Sequence, residues 1–361
     1  MPSVISFQQA IDDSEQLGKR HLLLGNGFSI ACKPNIFHYG SLFEQADFSA
    51  MPEAKAVFAS LNTQDFELAI HALQNGSALL PIYAPEAHEK AILMQQHAEA
   101  LKETLISTIA GNHPEGPYDL NETKVWACRI FLSHFIKEDN NRSGHVFTLN
   151  YDLLLYWVLM NEGNPFQHEI NKFHLKRNDG FGNDEDDPEA DYVVWQGETA
   201  AHSANVHYLH GALHLFDSGS ELQKYTWIRS GARLVEQVRT ALAQSKFPLF
   251  VAEGSSDQKK SRIRHNAYLY QGLKVFTQNA QQKNHGFFIF GHSLAANDDH
   301  ILLRLARGKF PKLYIGLYGD PGSDWNKAIV VRANELAAQR HYKYPLKVVF
   351  FDSATANVWG Y

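Results

Sequence analysis

The chain has 361 residues, 44% hydrophobic and 20% charged, with 23 Phe, 15 Tyr and 6 Trp, a composition that supports a large buried core and excludes a disordered protein. A formal net charge of -6 argues against nucleic-acid binding by bulk electrostatics. The cysteines, Cys32 and Cys128, form no CxxC pair, which excludes a disulfide framework and a four-thiolate zinc site.

The opening MPSVISFQQAIDDSEQ is polar and helical in pattern, and carries acidic residues where a signal peptide needs Lys or Arg and an apolar run. No apolar stretch approaches the ~18 residues of a membrane span, so the expected compartment is the cytoplasm. His21–Leu24 is a short apolar run stopped by Gly25-Asn26-Gly27, the pattern of a parallel strand buried on both faces. From about 44 to 142, segments such as FELAIHALQNGS and KVWACRIFLSHFI repeat apolar residues at i, i+3, i+4. They read as consecutive amphipathic helices with no strand between them.

Strand patterns then return at His145–Leu149, Asn205–Leu209, Phe247–Val251, Gly286–Phe290, Leu313–Leu317 and Leu346–Phe351. Most are separated by enough chain for a crossover helix, as parallel neighbours require. The expected fold is α/β: a Rossmann-like, doubly wound, mainly parallel sheet in a single domain over residues 1–361, with a helical insertion at about 44–142. Asn178–Asp191, rich in Gly and Asp, reads as a solvated surface loop, because its spacing does not match an EF-hand.

In open α/β sheets ligands bind at the carboxyl ends of the strands. There the sequence places Gly25-Asn26-Gly27-Phe28-Ser29, Thr148-Leu149-Asn150-Tyr151-Asp152, His210-Gly211, Glu253-Gly254-Ser255-Ser256 and Gly291-His292-Ser293-Leu294. The first loop lacks the third glycine of the dinucleotide fingerprint. Its glycines suit close approach to a ligand, and equally an ordinary strand-to-helix turn. Asn150 and Asp152 carry acceptors at a strand tip, where one of them is expected to cap the following helix. His210 is a candidate base, since imidazole titrates near neutrality, whereas His207 and His214 read as structural. Ser293 or Asp298 suits a ribose hydroxyl or a phosphate, although Asn297 or Asp298 equally suits a helix cap. His292 and His300 with the neighbouring carboxylates match no metal-ligand spacing, so no metal is expected. Ser255 and Gln258 form a capping box for a helix whose Lys259, Lys260, Arg262 and Arg264 read as a solvated face.

Taken in order, these motifs resemble the Sir2-like family. The similarity is closest to the Sir2-like proteins of bacterial defence systems and to a related bacterial group classed as a domain of unknown function. It rests on Gly25-Asn26-Gly27-Phe28-Ser29, Thr148-Leu149-Asn150-Tyr151-Asp152, Leu209-His210-Gly211 and Gly291-His292-Ser293-Leu294 with Asp298, plus Asp65-Phe66-Glu67 in the helical insertion. Two departures stand out: Asn26 occupies the place of Ala in deacetylating sirtuins, and the zinc-binding Cys quartet is missing.

The resemblance implies an enzyme that binds NAD across the strand ends and cleaves its nicotinamide–ribose bond. It gives Asn150 the ribose and attacking water, and His210 the role of general base. Gly25, Asn26, Gly27 and Ser29 would surround the pyrophosphate and nearby ribose with Asp152 close by, while Gly291, Ser293 and Asp298 would hold the adenosine side. Lack of the Cys quartet favours plain hydrolysis without zinc. The chemistry is self-consistent: the leaving nicotinamide is already cationic, so an oxocarbenium-like ribose needs positioning, a dry pocket and a base. The expected role is a regulated NAD-depleting effector in antiphage defence, a homo-oligomer with a partner protein such as an ATPase. A non-hydrolysing NAD or ADP-ribose sensor, and a protein deacylase or ADP-ribosyltransferase, are the alternatives.

Overall fold

A computed structural model describes residues 3–37, 39–113, 120–161, 173–201, 203–218, 221–226, 232–243, 248–251 and 255–360. Its strands, in chain order, are β1 (Val4–Ser6), β2 (Lys19–Leu24), β3 (Ser143–Thr148), β4 (Phe181–Gly182), β5 (Tyr192–Trp195), β6 (Val206–Tyr208), β7 (Gly211–Asp217), β8 (Leu222–Tyr225), β9 (Pro248–Phe250), β10 (His285–Phe290), β11 (Lys312–Leu317) and β12 (Lys347–Asp352).

A seven-stranded sheet runs in the order β1-β12-β11-β10-β2-β3-β6, and every pairing in it is parallel. From β2 the chain builds outward through β3 to β6, then returns to the other side of β2 to lay down β10, β11 and β12. Growth therefore reverses between β2 and β10, which makes their carboxyl ends the switch point of a Rossmann-like, doubly wound fold.

The apolar runs follow from coverage of both faces. Successive side chains of a strand point to opposite sides. Phe288 of β10 meets Phe135 of helix Glu122–Ile136 on one face, at 5.2 Å between ring centroids. Its neighbour Phe287 meets Phe276 of helix Ala267–Ala280 on the other, at 5.4 Å. With both faces covered, Phe287–Phe290 of β10 and Leu22–Leu24 of β2 beside it do not alternate apolar with polar residues and read as short continuous apolar runs.

Between β2 and β3 the described residues form helices and no strand, including Pro52–Ser60, Phe66–Tyr83, His88–Asn112 and Glu122–Ile136. The expected helical insertion is present. Phe43, Phe48, Phe58 and Phe66 knit part of it together, with centroid separations of 4.9 to 6.1 Å. No described helix is long and apolar enough to cross a membrane.

The pattern along the sequence misplaces three segments. The amino terminus is not helical throughout: Val4–Ser6 forms edge strand β1 against β12, and the helix begins at Phe7 with a Ser6–Gln9 capping box. Three residues are too short for a periodic pattern, and their partner lies at the far end of the chain. Phe247–Val251 is expected in the parallel sheet, yet β9 pairs antiparallel with β7. It belongs to a second, five-stranded sheet in the order β4-β5-β8-β7-β9, antiparallel throughout. The Asn178–Asp191 segment is mostly exposed beyond Gly182, but its start is not a loop. Phe181–Gly182 pairs with β5, and Asp179 is buried in a 2.6 Å ion pair with Lys224. Glu253 and Gly254, read as a further strand end, lie outside the described residues.

Candidate functional site at the carboxyl edge of the parallel sheet

The glycines of the first loop are explained by a neighbouring loop. Gly25 directly follows β2 and Gly291 directly follows β10, side by side at the switch point. Gly27 N–H donates to the Gly291 carbonyl at 2.7 Å. A Cβ on Gly27 would lie 2.6 Å from the Gly291 Cα, and one on Gly25 would lie 2.7 Å from the Gly291 oxygen. Gly291 itself has φ +69, a conformation that favours glycine. These glycines let two backbones cross in contact; Asn26 beside them donates from Nδ2 to the Phe37 carbonyl at 3.2 Å.

A first polar cluster is built on this crossing. Asn150, at the tip of β3, donates from Nδ2 to the Gly25 carbonyl at 3.1 Å and to Ser29 Oγ at 2.9 Å. Ser29, fully buried in helix Gly27–Cys32, donates in turn to Asp152 Oδ2 at 2.5 Å. The other Asp152 oxygen accepts from Leu154 N–H at 2.9 Å, in the first turn of helix Leu154–Met160. Asp152, one residue before the Leu153 N-cap, thus serves the start of this helix, and Asn150 is left for another task. Burial raises the Asp152 carboxyl above the usual carboxylate range, against the hydrogen bonds from Ser29 and Leu154 that favour its charged form. Because Nδ2 of Asn150 is committed to protein, its remaining capacity is the carbonyl oxygen, an acceptor.

His210 anchors a second cluster. It lies two residues past the end of β6, next to β3, and Leu209 N–H bonds to the Thr148 carbonyl at 2.9 Å. Gly211 after it turns the chain from the parallel sheet into β7. Its φ is +79, and a Cβ there would lie 2.0 Å from the Leu249 carbonyl oxygen. The glycine serves that crossing of β7 and β9. His210 Nε2 faces His300 Nε2 at 2.9 Å. The ring centroids are 5.1 Å apart with planes only 19° from parallel, so the rings meet edge to edge through a shared proton. Burial holds the His210 imidazole well below its usual range, opposed by the Asp298 charge, so it is neutral at pH 7.

Asp298 supplies the charge of this cluster. It precedes helix Asp299–Ala306 but makes no side-chain cap there. It turns inward instead, to Lys259 Nζ at 3.2 Å and His292 Nε2 at 3.1 Å, with His210 Nε2 at 3.9 Å. Burial alone would raise its carboxyl; the His292 hydrogen bond and the nearby His210, Lys259 and His292 side chains hold it well below the carboxylate range. His292 Nδ1 accepts from Leu294 N–H at 2.8 Å, which leaves its proton on Nε2 for Asp298.

The two clusters touch at the switch point, where the position of a Gly25 Cβ is 2.8 Å from that of His292. Of the residues expected at the site, Asn150, Ser29, Asp152 and Gly25 form one group, and His210 and Asp298 the other. Ser293, half-buried between His292 and Leu294, lies on the β10 loop with Gly291. Phe66 of the Asp65-Phe66-Glu67 element is buried within the helical insertion. The expected capping box of Ser255 and Gln258 is present. Lys259 departs from the solvated face expected of that helix: it is buried and turned to Asp298. His300 and His292 also gain their place only through the fold. A surface depression lined by Asp257, Lys260, Ser261, Arg264 and His265 lies on the outer side of the Lys259 helix, away from these groups.

Comparison with curated proteins finds no match. Residues 22–359 match a family described as a domain of unknown function, DUF4917. That span takes in both sheets except β1 and the start of β2, with every residue of the two clusters, and the chain belongs to the DUF4917 family.

Proposed function

We propose that this protein is an NAD hydrolase of Sir2-like type, cleaving the nicotinamide–ribose bond at the carboxyl edge of its parallel sheet. The observation that carries the reading is the pairing of Asn150 and His210 on the tips of adjacent strands. One is oriented so that an acceptor oxygen is available, and the other is a buried neutral imidazole. Asn150 positions the ribose and the attacking water through its carbonyl oxygen. His210 accepts a proton from the sugar hydroxyl or the water. The crossed loops at Gly25–Gly27 and Gly291, with Ser293, are the nucleotide side of this proposed site at the switch point. Nicotinamide leaves as a neutral base, so the protein supplies position and dryness and no strong nucleophile.

This reading extends to a regulated NAD-depleting effector of antiphage defence, acting as an oligomer with a partner such as an ATPase. One observation favours a second reading, an NAD or ADP-ribose sensor that binds without turnover. The Nδ2 of Asn150 and the Nε2 of His210 are both engaged by protein groups. Chromatography of NAD after incubation with the purified chain separates the two: a hydrolase releases nicotinamide, and a sensor returns NAD intact.

A further inference from the structure

We propose that His210, His300 and Asp298 form a binding site for a divalent transition-metal ion of the zinc and cobalt class, whose occupancy withholds His210 from NAD cleavage. One ligand atom from each residue lies within 4.8 Å of the other two. Zinc–nitrogen and zinc–oxygen bonds of about 2.0–2.2 Å set ligand atoms roughly 3.3 Å apart in a tetrahedron. Two of the separations bracket that value, 2.9 Å between the imidazoles and 3.9 Å from His210 Nε2 to Asp298 Oδ1, and the third, His300 to Asp298, lies within 4.8 Å. Rotation of the two rings brings both Nε2 lone pairs to one point, and the proton they share moves to Nδ1 of its own ring or leaves to solvent as the two nitrogen–metal bonds form.

The chemistry of the donors selects the ion. Imidazole nitrogens with a single carboxylate suit zinc, cobalt or nickel, whereas magnesium and calcium require more oxygen ligands. The supporting contacts are those of a metal site. His292 donates its Nε2 proton to Asp298 Oδ2 and is fixed in that tautomer by the Leu294 N–H, leaving Oδ1 directed at the imidazoles. The Lys259 ammonium now meets Oδ1 at 3.2 Å and is the cation a metal competes with. The Asp298 side chain keeps 14% exposure, a route for the ion from solvent. The donors are separated by up to 90 positions, which is why no ligand spacing shows in the sequence.

The inhibitory half of this proposal rests on the reading of His210 as the base: a lone pair bound to metal cannot accept a proton. The test begins without NAD. Metal-stripped full-length protein is titrated with cobalt(II), followed by its visible absorption, and zinc uptake is measured by elemental analysis. The wild type binds one ion per chain at micromolar concentration; His300→Ala and Asp298→Asn weaken binding at least roughly tenfold, and the exposed His341→Ala does not. No uptake by the wild type, or unchanged binding in a folded His300→Ala protein, overturns the site. Nicotinamide release is then measured with and without zinc. Loss of release at saturation supports inhibition, and undiminished release overturns it. Metal binding in a protein that releases no nicotinamide under any condition leaves the site standing and removes the NAD reading.

Discussion

Asn150 and Ser29, 121 positions apart, are joined by a 2.9 Å hydrogen bond in which the carboxamide donates and the hydroxyl accepts. Because the Ser29 hydroxyl donates in turn to Asp152, the orientation of Asn150 is set, through Ser29, by a carboxylate held at the start of the next helix. Ser29→Ala removes the middle of this chain. It leaves Asp152 buried with one hydrogen bond fewer, a cost of about 1–3 kcal/mol. The expected result is that loss of stability in urea unfolding, with nicotinamide release lowered more than the affinity for NAD.

Gly211 stands at the corner between the parallel and antiparallel sheets, with φ +79 and the Leu249 carbonyl 2.0 Å from where a Cβ would lie. Gly211→Ala therefore combines left-handed strain of about 1–3 kcal/mol with a backbone clash. The measurement is the melting temperature, expected to drop by several degrees or more, with His210 displaced along with the turn. An unchanged melting temperature contradicts this account of the corner.

Lys259 and Asp298 form an ion pair whose side chains are 2% and 14% exposed. Removing one partner of such a pair costs roughly 3–5 kcal/mol, while replacing both costs less. Asp298→Ala is expected to destabilise strongly, and Lys259→Met in the same chain to restore part of the loss. A double-mutant cycle by chemical denaturation reads the coupling.

The parallel sheet was legible because strands covered on both faces must be apolar throughout, as Phe287 and Phe288 illustrate. The strand tips at Gly25, Asn150, His210 and Gly291 were legible for the same reason: each apolar run ends abruptly in small or polar residues. The second sheet was not. Its β4 and β8 are short, β9 is an apolar triplet like a parallel strand, and only long-range pairing with β7 assigns it. Glycine chemistry was read correctly as close approach, but the approaching group at Gly27 and Gly211 is another backbone. Lys259 was invisible because helical charge patterning gives no direction for a single lysine. His300 was likewise hidden, since its partner His210 is 90 positions away.

Acid should unfold the protein through a row of histidines at the opposite edge of the sheet. His21 faces His285 at 2.9 Å, and His145 faces His207 at 3.0 Å. Burial pushes His145 and His285 down to about 4, and holds His21 and His207 well below their usual range; neighbouring imidazoles and Lys19 add to the effect. With the folded values below the unfolded ~6.5, the unfolded chain binds more protons below that pH. Stability is complete above about pH 6.5 and falls as pH drops toward 4. For His145 alone, lowering from 6.5 to about 4 corresponds to on the order of 3 kcal/mol. Urea midpoints measured from pH 7.5 to 4.5 should decline steeply, and less steeply in His285→Gln.

The central claim is that Asn150 and His210 cleave the nicotinamide–ribose bond of NAD. The most direct measurement is nicotinamide release, followed by chromatography, from wild type, Asn150→Ala and His210→Ala, metal-stripped, alone and with the proteins of neighbouring genes. The account predicts release by the wild type and a fall of roughly 10²- to 10⁴-fold in folded His210→Ala, with a comparable loss in Asn150→Ala. Intact NAD after incubation with the wild type under every condition, or full activity in either variant, contradicts it.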